Sequence, residues 1–112
     1  MSVEHHWIYT TWPDLEAARS AARHLVDERL CGCANILPGV ESFYHWEGTV
    51  QNDTEIVVIL KAPAGNATAL NQRIAELHPY TTPCIIALPV ISDASAPGFL
   101  AWLTEQASPR DG

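Results

Sequence analysis

The residue types best suited to hold a soft or borderline metal ion are five histidines, His5, His6, His24, His45 and His78, and three cysteines, Cys31, Cys33 and Cys84. None stands at the spacing of a zinc site or a disulfide framework: Cys31-Gly32-Cys33 lacks the usual two-residue gap, and three thiols are an odd number. Two cysteines at this spacing share a face only if both lie in the strand that follows. Core burial is the simplest role for all three, because free cysteine is among the most buried residue types. His5-His6, near the N-terminus, offers adventitious metal contact only.

His78-Pro79-Tyr80 with Thr82-Pro83 gathers an imidazole, a phenol and two rigid prolines between a helix end and an incoming strand, a common place for a ligand site. Two roles for His78 stay open: a ligand, or a partly cationic ring favoured at a helix C-terminus by the dipole. Glu55 and Lys61 are six residues apart, so in a strand they share a face with Val57 and Ile59. They either bound an apolar stripe or frame a pocket at a subunit junction. Trp46 and Trp102 read as packing residues. Gly-x-Ser-x-Gly, a phosphate-cradling loop, His-Glu-x-x-His and the Gly-rich dinucleotide fingerprint are all missing. A small enzyme using His78 or Glu55 as base is the weakest of the readings considered.

The elements that must position these groups follow from periodicity. His6 to Thr11 reads as a strand, and Trp12-Pro13-Asp14 starts a helix in which Leu15, Ala18, Ala22, Leu25 and Val26 recur at helical spacing until Gly32. A second strand begins near Cys33, breaks at Pro38-Gly39 and continues from Val40 to Glu47, with a turn at Gly48-Thr49. Val50 to Lys61 returns as a long strand, polar at the hairpin tip and apolar at Ile56–Leu60. After Pro63–Asn66 a helix carries Leu70, Ile74 and Leu77 and stops at Pro79. Cys84 to Val90 is the last strand, with Pro89 marking an edge or a bulge. Ser95 and Pro97 open a terminal helix with Phe99, Leu100, Trp102 and Leu103.

The order is β-α-β-β-α-β plus a C-terminal helix, an α+β, ferredoxin-like arrangement with two helices on one sheet face. One covered face calls for strands that alternate, yet Ile56–Leu60 and Cys84–Leu88 are apolar on both sides. The strand from Val50 to Lys61 spans about 40 Å at roughly 3.3 Å per residue. The expectation is a projecting hairpin that pairs with another copy; the alternative is a terminal helix folded over the open face and a disordered tip.

A length of 112 residues and 47% apolar composition describe one globular domain, 1–112. At 12.3 kDa a compact monomer exposes about 6,000 Å². The net charge of −7, with no Lys or Arg between Arg29 and Lys61 but four acids there, excludes a nucleic-acid partner and an anionic membrane surface. Metal cations are electrostatically welcome. The N-terminal residues carry no secretory pattern, no apolar run reaches the roughly 18 residues of a span, and free thiols suit a reducing cytoplasm.

Together, Cys33-Ala34-Asn35-Ile36-Leu37-Pro38-Gly39-Val40, Ser42-Phe43-Tyr44-His45-Trp46-Glu47-Gly48, Glu55 through Lys61, His78-Pro79-Tyr80-x-x-Pro83 and Trp102-Leu103 resemble the CutA divalent-cation tolerance family, from about Trp7 to Trp102. The resemblance implies a ferredoxin-like fold, a tight homotrimer similar in architecture to the PII signalling proteins, tolerance to divalent metals, copper especially, and no enzymatic reaction. Some members are assigned copper ligands at a cysteine ending the first strand and at adjacent histidines before Pro-Tyr. Here those positions are Thr10 and Leu77-His78, so only His78 carries over. The expectation is a cytoplasmic metal-response trimer without catalysis or required cofactor. It binds copper or another divalent metal at His78, in an intersubunit cleft framed by Cys33, Trp46, Glu55, Lys61 and Tyr80. The rival is a PII-like signalling module binding a small organic ligand or anion there, which Lys61 favours.

Overall fold

The computed structural model describes residues 3–108. Strands β1 (His5–Trp12), β2 (Cys33–Trp46), β3 (Thr49–Pro63) and β4 (Ile85–Pro89) form an antiparallel sheet in the order β2-β3-β1-β4. Helix α1 (Leu15–Asp27) joins β1 to β2, α2 (Ala67–Leu77) joins β3 to β4, and α3 (Pro97–Gln106) follows β4. The architecture is α+β, with the element order read from the sequence.

Period two puts Ile8, Thr10 and Trp12 of β1 and Ile56, Val58 and Leu60 of β3 on one sheet face, where they pack with Ala18, Leu25, Leu70 and Ile74 of α1 and α2. The apolar stripe of α1 runs through Ala18, Ala21, Ala22 and Leu25, while Val26 faces solvent. Asp14 caps the helix, its Oδ1 accepting from the Ala17 N–H at 2.8 Å. The helix ends at Asp27, five residues before the expected Gly32. Its terminus is a Schellman motif: the Arg29 N–H bonds the Val26 carbonyl and the Leu30 N–H bonds the Leu25 carbonyl. Arg29 takes the left-handed position with φ 59°, and its guanidinium bonds the Gln106 carbonyl at 2.9 Å, tying α1 to α3.

Pro38-Gly39 sits in a register shift between Leu37 and Val40, as the composition suggested, and β2 continues beyond it. The turn is Glu47-Gly48, one residue earlier than expected. Both residues have positive φ, 50° and 80°, as a two-residue hairpin of matching twist requires, and Trp46 pairs with Thr49. The tip is therefore ordered strand. Beside its polar residues it also exposes Phe43, Trp46 and Val50, so Trp46 is no packing residue within the chain. Ser95 does not cap α3 either; its hydroxyl bonds the Ile91 carbonyl at 2.6 Å, and Ala96 precedes the helix.

On the opposite sheet face, α3 reaches only one end: Phe99 approaches Lys61, and Leu103 packs near Gly32. Trp7, Leu37, Ile86 and Leu88 stay exposed, and Trp102 on α3 with them. The chain exposes 7271 Å², roughly 1,200 Å² more than a compact monomer of its mass. Its long axis is 47 Å, and its radius of gyration is 15.0 Å against about 13 Å for a compact chain of this length. No helix among the described residues is long and apolar enough to cross a membrane.

Candidate functional site

A cleft of about 910 Å³ opens between the β2-β3 arm and the loop that follows α2. The arm contributes Tyr44, Trp46, Gln51, Asp53 and Glu55, the loop contributes Pro79, Tyr80, Thr81, Thr82 and Cys84, and Thr11 and Pro13 line the base. Ser42 pairs with Asp53 and Tyr44 with Gln51, so Tyr44 and Asp53 are diagonal neighbours on the open face, and the Tyr44 hydroxyl donates to Asp53 Oδ2. A second hollow of about 310 Å³, between α2 and β4, is lined by neutral residues including Thr68, Asn71 and Gln72.

The electrostatics of the main cleft are one-sided. Among the described residues its lining holds two carboxylates, Asp53 and Glu55, and no lysine or arginine. The hydrogen bond to Asp53 raises the Tyr44 pKa above the ordinary phenol value. Burial and then the charges of Glu55, Asp53 and Asp14 raise that of Tyr80. Both phenols stay protonated at neutral pH and can donate, while the carboxylates attract cations.

Trp46, Glu55 and Tyr80, read from the sequence as binding residues, all line this cleft. Cys33 and Lys61 do not. They are cross-strand partners at the other end of β3, about 20 Å along the strand from Glu55. Lys61 Nζ lies 5.4 Å from the Trp7 ring centroid and 5.5 Å from that of Phe99, a cation-π arrangement. An anion in the cleft would therefore meet two carboxylates and no ammonium from the described residues of the same chain.

His78 stands behind the cleft wall. Its ring is buried, with Nε2 2.7 Å from the Thr11 carbonyl and Nδ1 3.1 Å from the Tyr80 amide nitrogen. A carbonyl only accepts and an amide N–H only donates, so Nε2 carries the proton and Nδ1 is the acceptor. The ring is neutral and both nitrogens are engaged. It also lies face against Trp12, centroids 4.2 Å apart, and 4.9 Å from the Tyr80 ring. Thr10 is fully buried, its hydroxyl donating to the Val58 carbonyl at 2.8 Å and accepting from Trp12 Nε1 at 2.7 Å.

Among the described residues, no three His, Cys, Asp or Glu side chains converge on one point. Cys31 is buried, and burial pushes its thiol up to about 12. His5 is buried too, with Nε2 2.8 Å from Thr104 Oγ1, and it ties β1 to α3 rather than waiting at a free terminus. Sequence reasoning missed Asp53, Tyr44 and Cys84 as cleft residues. For the first, the signal was two-residue spacing from Glu55; for Cys84, its place after Pro83.

Comparison with known proteins places this geometry in a family. Residues 6–106 match the family model described as CutA1 divalent ion tolerance protein. The divalent-cation tolerance protein CutA of Thermus thermophilus is 41% identical over 98 residues, covering 88% of this chain and 93% of that protein. A solved Thermus thermophilus structure superposes with a TM-score of 0.86 at 39% identity, covering 91% and 97% of the two chains. The structure described as periplasmic CutA from Archaeoglobus fulgidus gives 0.87 at 36%, covering 93% and 99%. A chloroplastic CutA of Arabidopsis thaliana is 38% identical over 86% of this chain and 52% of its own length. With the family model matched over residues 6–106 and relatives this similar over most of their length, the chain belongs to the CutA1 divalent ion tolerance family.

Proposed function

We propose that this protein is a non-enzymatic divalent-cation tolerance protein of the cytoplasm. On this reading it is a ferredoxin-like homotrimer of PII-like architecture, each subunit a single domain, and it binds copper or another divalent metal ion in a cleft completed by a neighbouring copy. The observation that carries the reading is the acidic lining of the cleft, Asp53 and Glu55 with no basic residue among those described, in a chain whose relatives are named for tolerance to divalent cations.

A trimer is supported by the open apolar sheet face, the 47 Å long axis and the excess exposed surface. Among the described residues one chain brings no three ligands together, and on this reading a second copy supplies the rest. Cys33 and Lys61 join the cleft only across such a boundary, Cys33 as a ligand to the ion and Lys61 as a counter-charge to the carboxylates. Trp46 and Tyr80 wall the site. A ligand role for His78 requires the ring to release one of its two backbone partners. The free cysteines suit a reducing compartment.

Calorimetric titration of Cu(II) into the metal-free protein tests the reading, with Glu55→Gln and His78→Ala alongside. Saturable binding weakened by Glu55→Gln supports the cleft. Equal binding by both variants and the wild type refutes it, and a sedimentation mass of one chain at micromolar concentration refutes the trimer.

A further inference from the structure

We infer that His78 is the latch that fixes the wall of the cleft, working as the neutral Nε2–H tautomer, and that it positions Tyr80 instead of holding the ion. The inference deepens the proposed cation cleft and rests on that reading for its functional meaning. Tyr80 is 46% exposed, so packing alone does not hold it, and no other side chain among the described residues hydrogen-bonds any of residues 79–84. The ring does so from a rigid seat. His78 itself is 7% exposed, its backbone N–H closes α2 on the Ile74 carbonyl at 2.9 Å, and its Nε2–H is anchored on the Thr11 carbonyl of β1. Trp12 covers one ring face, and Trp12 is in turn fixed by Thr10. Pro79 cannot donate, so the next available N–H is that of Tyr80, and Nδ1 takes it. The chain Thr10, Trp12, His78, Tyr80 thus carries position from the core to the phenol that faces Glu55 and Asp53.

This assignment makes the two ring nitrogens separable. Asparagine places an acceptor near the Nδ1 position and glutamine places a donor near the Nε2 position. The probes are the ring-nitrogen NMR signals of the metal-free wild type and the hydrogen exchange of the Tyr80 amide. Expected are a protonated Nε2 and an unprotonated Nδ1. Tyr80 exchange should accelerate at least about fivefold in His78→Ala and His78→Gln, the worth of one hydrogen bond, and should stay near wild type in His78→Asn. A protonated Nδ1 in the wild type overturns the latch even if no variant folds, and so does unchanged Tyr80 exchange in His78→Gln. Adding Zn(II) separates the two claims. Ring signals that stay in place while zinc binds support the latch, ring signals that move with zinc overturn it, and failure of zinc and copper to bind at all, with the latch signals intact, sinks only the cation reading.

Discussion

Trp12 and His78 lie ring against ring, centroids 4.2 Å apart and planes 31° apart, joining the end of β1 to the end of α2. The contact explains why two residues 66 positions apart act as one piece: the indole is fully buried and hydrogen-bonded to Thr10, while the imidazole faces the cleft loop. Trp12→Ala should destabilise the protein by about 3–5 kcal/mol, the usual effect of emptying a large core site. Thr10→Val keeps the volume but strands the indole N–H, so a loss of about 1–3 kcal/mol is expected. Denaturant unfolding measures both, and a Thr10→Val protein as stable as the wild type would remove the hydroxyl from the account.

Gly32 tests the seat of α3. A Cβ there would stand 3.0 Å from the Leu103 carbonyl oxygen and 3.1 Å from its Cα, so backbone must shift. Gly32→Ala should cost about 1–3 kcal/mol, as overpacking does, and loosen α3 first. Faster amide exchange in α3 than in α1 is the expected pattern; uniform exchange across both helices would speak against it.

Thiol reactivity separates the cysteines. The thiolate is the nucleophile, and with a pKa of about 12 Cys31 stays protonated at neutral pH and is buried besides. Iodoacetamide followed by peptide mass spectrometry should label Cys33 and Cys84 well before Cys31. Equal labelling of Cys31 in the folded protein would contradict the packing assigned to it.

Glu28 and Arg73 form a two-pronged ion pair, 2.8 and 2.9 Å, between the end of α1 and α2. The hydrogen bond from Arg73 lowers the Glu28 pKa below its ordinary value of 4.5. A depressed carboxylate stabilises the fold above the unfolded-state pKa and loses that contribution as pH falls through the folded value. Glu28→Gln should therefore be slightly less stable than wild type at pH 7, with the difference closing as pH falls through the lowered folded-state value of Glu28. A gap that widens on acidification would reverse the sign.

Much of the fold was legible because its signals are local. Leu70 and Ile74 gave α2, Pro38-Gly39 gave the break in β2, and the doubly apolar Ile56–Leu60 announced a face that α1 and α2 do not cover. Local signals failed where a residue takes a conformation its type disfavours. Arg29 and Glu47 occupy the left-handed region, so Gly32 and Gly48-Thr49 drew the boundaries to the wrong places. For the site, Glu55 and Lys61 were correctly set on one face, but period two says nothing of distance along a strand, and Lys61 sits among Trp7 and Phe99 instead. The partners of His78 are backbone atoms, which leave no mark in the sequence.

On the proposed function, the carboxylates of the arm attract and hold a divalent cation. The most direct measurement is calorimetric titration of Cu(II) into the metal-free wild type and an Asp53→Asn, Glu55→Gln double variant whose fold is verified by circular dichroism. Expected are saturable binding in the wild type and at least about a tenfold loss of affinity in the variant, as fits removal of two charged ligands. Undiminished affinity in a folded double variant would contradict it.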